Sequence, residues 1–140
     1  MIAEGWSDGW YLVPWQVIFR DLDAFGHVNN ATFFTYFEWG RARLWFALNG
    51  SIGIPRDIGF IVVRAECDFK QQLALEPIGI RTRIGEIRNT SLEFLTEIRR
   101  DDGRQIAATG RVVVVLYDWE RQQKVQITDE FRQKIRGAMK

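Results

Sequence analysis

The chain has 140 residues, 46% hydrophobic and 26% charged, a balance that predicts one globular domain over residues 1–140. A formal net charge of +1, with no run of five or six like charges, argues against an electrostatic grip on nucleic acid or anionic lipid. The single Cys67 cannot form an internal disulfide, one His and one Cys cannot supply the usual ligand set of a zinc site, and no apolar run approaches the roughly 20 residues of a membrane span. With neither a basic start nor a long apolar run in the first ten residues, the expectation is a cytoplasmic protein that works without metal or cofactor and off the membrane. Six Trp, ten Phe and three Tyr predict a thick core or an extensive subunit interface, since each ring buries a large apolar area.

Trp10 to Phe19 is rich in aromatic and β-branched residues and predicts a strand, which Pro14 confines to a sheet edge or a bulge. Arg20 to Val28 mixes turn formers with isolated apolar residues and reads as a loop. Either Asn29 or Asn30 can cap a helix with its side-chain oxygen, and no proline follows before the stop signal Asn49-Gly50. One long helix results. Its wheel groups Phe33, Tyr36, Phe37, Gly40, Leu44, Ala47 and Leu48 on one face, while Phe34, Trp39, Trp45 and Phe46 spread round the remainder. A helix apolar on most sides must be enclosed by the strands that follow or by a second copy of the chain.

Phe60 to Phe69 alternates, with Ile61, Val63, Ala65, Cys67 and Phe69 opposite Val62, Arg64, Glu66 and Asp68, and predicts a half-buried strand. Ile78 to Ile87 and Leu92 to Ile98 repeat the pattern, the latter setting Leu92, Phe94, Thr96 and Ile98 against Glu93, Leu95 and Glu97. Asp101-Asp102-Gly103 predicts a hairpin turn, and the run Val112 to Leu116 a strand flanked on both sides. Thr128, followed by Asp129 and Glu130, caps a short terminal helix ending at Gly137. The order predicts an α+β fold, an antiparallel five-stranded sheet wrapped around one long helix, with a homodimer as minimum assembly and the choice between homodimer and homotetramer left open.

The stretch Asp21-Leu22-Asp23-Ala24-Phe25-Gly26-His27-Val28-Asn29-Asn30 resembles the signature D-x-D-x-x-G-H-V-N-N of the 4-hydroxybenzoyl-CoA thioesterase-like hot-dog family. The likeness continues through Phe33-Phe34-Thr35-Tyr36-Phe37-Glu38-Trp39-Gly40-Arg41 and covers roughly residues 10 to 120. It implies an acyl-CoA thioesterase acting on an acyl-CoA or acyl-carrier-protein thioester, with coenzyme A part of the substrate. In that family the second Asp of the signature, here Asp23, is the nucleophile or general base. The oxyanion donor is a backbone N–H at the helix start, which falls on Asn30. His27, Val28 and Asn29 then belong to the substrate site, and Arg88-Asn89-Thr90-Ser91 matches a region that meets pantetheine or nucleotide.

Physical chemistry supports these roles independently. A helix N-terminus has unpaired amides and a partial positive charge, suited to the negative oxygen formed when a thioester carbonyl is attacked. A thiol of pKa about 8.5 leaves with little acid assistance, so no triad is required. Each residue has a structural rival role. Asp23 can cap a turn, Asp21 can hold the loop through backbone amides, and His27 can orient the loop. Glu38 is a possible second carboxylate, although Arg41 three residues on offers it an ion pair. Cys67 reads as a small core residue. Two other functions compete. A hot-dog hydratase carries D-x-N-P-x-H, whereas His27 lies four residues after Asp23 with no Asn-Pro between. The other is a non-catalytic acyl-thioester-binding module.

Overall fold

A computed structural model describes residues 3–50, 58–100 and 103–140. In chain order the elements are β1 (Gly5–Ser7), β2 (Trp10–Gln16), a 3-10 turn (Phe19–Asp21), α1 (Asn30–Asn49), β3 (Ile58–Phe69), β4 (Pro77–Ile87), β5 (Ser91–Arg100), β6 (Ile106–Asp118), β7 (Gln123–Lys124) and α2 (Asp129–Ala138). The strands form one antiparallel sheet in the order β1-β2-β4-β5-β6-β3, with β7 on β6. This is the hot-dog arrangement expected, with two short strands added. β1 and β7, of three and two residues, are too short for alternation to betray them. No helix among the described residues is long and apolar enough to cross a membrane.

Helix α1 begins where Asn29, in extended conformation, accepts the Ala31 N–H on its side chain at 2.9 Å, and ends where Gly50 turns left-handed at φ 67°. Replacing Asn29 by Ala leaves that amide without its cap and is expected to cost about 1 kcal/mol, readable as a lower urea midpoint at unchanged m-value. The helix lies on the sheet through Phe33, Tyr36, Phe37, Gly40, Arg41, Leu44, Trp45 and Leu48. Contact is closest at Gly40, where an added methyl would collide with Ile80 and Thr82 of β4, and at Gly110 of β6, where it would meet the Phe37 ring. Trp45 is enclosed edge-on by Phe60, Phe94 and Phe131. Ala47, expected on the inward face, is exposed instead, and Arg41 takes a buried place. The strands cover one side of the helix, leaving Thr35, Glu38 and Trp39 exposed in the single chain.

Pro14 pairs with Gly79 of β4 beyond the last residue paired to β1, so its missing N–H faces no neighbouring strand there. In β5 Leu92, Phe94, Thr96 and Ile98 are all buried and the intervening residues are not, as their alternation predicts. The β5–β6 pairing makes the expected hairpin; Asp101 and Asp102 lie outside the described residues, and Gly103 closes onto the Arg100 carbonyl at 2.8 Å.

β3 departs from the half-buried strand that its alternation predicts. It is the last strand of the sheet, and Val62 and Val63 are 45% and 57% exposed. A bulge between Val62 and Arg64 breaks the two-residue period: Val62 pairs with Val114 and Ala65 with Val112, both on the helix side, while Ile61 pairs with Val115 on the other face. The alternation therefore holds from Ala65 to Phe69 and is out of step before the bulge.

Candidate active site

The loop before α1 is tied by four backbone hydrogen bonds. Leu22 bridges Val28, the Asp23 N–H donates to the His27 carbonyl at 2.9 Å, and the Gly26 N–H donates to the Asp23 carbonyl at 3.0 Å. Val28 donates to Leu73 at 2.8 Å and Asn29 to the Asp21 carbonyl at 3.0 Å, fastening the loop to the β3–β4 connection and to itself. Gly26 adopts φ 82°, a conformation that a side chain disfavours. Asp23 and the first turn of α1 thereby meet the same cavity of about 310 Å³.

Asp23, His27, Val28 and Asn30 all line that cavity, together with Phe25, Phe33, Phe69, Lys70, Gln71 and Gln72. The last six escape the sequence reading. Phe33 belongs to the core face of the helix, and Phe69 to Gln72 are the last residue of β3 and the three after it, nearly forty residues downstream. A lone lysine beside two glutamines at the end of an alternating strand is a weak signal, but the only one available.

Asp23 Oδ1 accepts the Phe25 N–H at 2.9 Å. Among the described residues no donor meets its other oxygen, which leaves half the carboxylate open to a ligand. The opening amides of α1 divide in the same way. Asn29 takes the Ala31 N–H on its side chain and the Thr32 N–H on its carbonyl, each at 2.9 Å. The Asn30 N–H has no acceptor among the described residues, as expected for the first residue of a helix. Asp23, with half its carboxylate free, and Asn30, the first residue at the positive end of a twenty-residue helix, thus line one cavity.

Asn29 caps the helix and is not among the cavity's lining residues. Asp21 is committed elsewhere: its Oδ2 accepts the Tyr36 hydroxyl at 2.8 Å and the Ile18 N–H at 3.1 Å. Burial, reinforced by the Asp21 carboxylate, pushes the Tyr36 phenol far above its ordinary range. Glu38 makes the ion pair that its three-residue spacing from Arg41 offers. Its side chain is 72% exposed, 3.9 Å from Arg41 Nη2, and eight residues, or about 12 Å of helix rise, from Asn30.

The Arg88-Asn89-Thr90-Ser91 turn lines a different part of the surface. Arg88 pairs with Glu86 at 3.2 Å, while the Asn89 and Thr90 carbonyls accept from Ile127 and Leu116, so the turn packs on β6 and the segment leading to α2. The cation that does border the cavity is Lys70. Cys67 is partly buried, and burial first, then Asp68, pushes its thiol up to about 11, so little thiolate exists at neutral pH. Among the described residues no group of three His, Cys, Asp or Glu side chains is placed to hold a metal ion.

Comparison with protein-family models matches residues 17–135 to the thioesterase-like superfamily. The chain is 29% identical over 121 residues to the uncharacterized protein YsmA of Bacillus subtilis, covering 86% of this chain and 81% of that one. Among solved structures it is similar to a predicted thioesterase from Bacillus stearothermophilus, with TM-score 0.81 and 26% identity over 94% of this chain and 97% of that one. It also shares its fold with the DHNA-CoA thioesterase of Staphylococcus aureus, with TM-score 0.78 and 14% identity over 91% and 89% of the two chains.

Proposed function

Because this chain belongs to the thioesterase-like superfamily, we propose that it hydrolyses an acyl-CoA thioester to the free acid and coenzyme A, with Asp23 and the Asn30 amide as its catalytic groups. The observation that carries this reading is that Asp23, with half its carboxylate unclaimed, and Asn30, whose N–H opens the helix, line one cavity. The thioester carbonyl sits with its oxygen toward the Asn30 N–H and the helix N-terminus. Asp23 attacks the carbonyl carbon, or removes a proton from a water that attacks it, and the electron pair of the C=O bond moves to oxygen. Collapse of that oxyanion breaks the C–S bond and releases coenzyme A as a thiolate, which a thiol of pKa about 8.5 does readily. In the first route water then opens the mixed anhydride and restores Asp23. His27 belongs to the wall of the substrate site, and Lys70 supplies the positive charge that a CoA phosphate seeks.

Two features support a homodimer as the working form. Among the described residues β3 ends the sheet, a long strand with exposed valines and no strand beyond it, and α1 turns Trp39 outward at 38% exposure. Pairing of two such dimers gives the tetramer. The functional test is release of free thiol from short, long and aromatic acyl-CoA esters by the purified chain. Turnover of at least one ester class is expected; a folded protein that hydrolyses none of them would overturn the assignment.

A further inference from the structure

We infer that the site admits only a short or single-ring acyl group and that Phe33 sets the limit, an inference that rests on the thioesterase reading above. Val28 and Phe33 are the buried members of the cavity lining, 5% and 2% exposed, and so form its floor. The Phe33 ring meets Phe69 edge-on, with centroids 5.3 Å apart and planes at 90°, and contacts Tyr36 at 6.1 Å. Tyr36 cannot swing aside to make room. It is 2% exposed, and its hydroxyl is anchored on the Asp21 carboxylate, which the Ile18 amide holds in turn. The first Asp of the loop motif, which plays no part in the proposed chemistry, thereby stiffens the floor through Tyr36.

A cavity of about 310 Å³ lies at the low end of the roughly 300–1,000 Å³ usual for small-molecule pockets, and part of it must hold the thioester itself. A ring fits the edge and face of Phe33 and Phe69. An alkyl chain that reaches the floor has no further apolar surface to bury. Each additional methylene then forgoes the roughly fourfold gain in binding that complete burial of a CH₂ brings, or collides with the floor. A second copy of the chain, docked on β3, would add to the walls and leave this floor in place.

The test measures kcat/KM for straight-chain acyl-CoA esters from acetyl to palmitoyl, and for benzoyl-CoA, with the unaltered chain, Phe33→Ala and Tyr36→Phe. Binding of the matching S-alkyl-CoA thioethers, which cannot be hydrolysed, is measured alongside. For the unaltered chain kcat/KM is expected to peak among the short esters and benzoyl-CoA and to fall by roughly tenfold or more at palmitoyl-CoA. Phe33→Ala should move the peak to longer chains in both rate and binding, and Tyr36→Phe should move it part of the way. Phe33→Leu replaces Phe33→Ala if the latter does not fold. Affinity and rate that keep rising through palmitoyl, or a length profile untouched by the Phe33 substitution, would overturn the inference. Length-ranked thioether binding without turnover of any ester would sink the hydrolysis reading alone, and absence of any binding would sink both.

Discussion

Asp23→Asn is expected to lower kcat for the best acyl-CoA ester by roughly 10³-fold, because a neutral amide can neither attack a thioester nor accept a proton from water. The substitution nearly conserves shape. Its side-chain carbonyl can still accept the Phe25 N–H that Asp23 Oδ1 accepts at 2.9 Å, so the loop and its Gly26 turn should persist. Thermal unfolding should therefore change little while turnover collapses. A variant that keeps its rate would remove Asp23 from the chemistry and leave it as the turn-capping residue that its Phe25 contact also makes it.

Asn30→Pro addresses the oxyanion donor, which no side-chain truncation reaches. Proline lacks the backbone N–H, and the first residue of a helix is the place where that loss breaks no intrahelical bond. The residue before a proline must be extended, and Asn29 already has φ −60° and ψ 138°. The helix should form as before, without the N–H that opens it. Loss of one oxyanion-hole donor predicts a fall in kcat of about 10²- to 10³-fold. Asn30→Ala keeps the amide and should lose far less, so the ratio of the two variants isolates the backbone contribution. Equal rates for the two would place the oxyanion elsewhere.

How much of this could be read without coordinates depends on the range of the interactions involved. The extent of α1, its Asn29 cap and its Gly50 stop depend on hydrogen bonds spanning at most a few residues, and the residues that make them are adjacent in the chain. The alternation of β5 is equally local, because a pleated strand sends successive side chains to opposite faces. The closeness of Asp23 to the helix start follows from only six residues of intervening loop.

Other features depend on which segments fold against one another. The floor of the cavity draws Phe69 from β3 onto Phe33 of α1, a contact set by the pairing of β3 with β6 at the end of the sheet. The bulge at Val63 inverts half of an alternation that looked unbroken. The Glu38–Arg41 ion pair follows from a spacing of three residues, whereas the exposure of Glu38 is decided by the sheet, which covers only the opposite side of that helix. Arg88, the cation that the family resemblance puts near the substrate, lies outside the lining of the Asp23 cavity, and strand order brings Lys70 to that cavity. The local code is written in backbone hydrogen bonds and the period of one element, whereas the shape of a cavity arises from long-range contacts between elements that no neighbouring residue records.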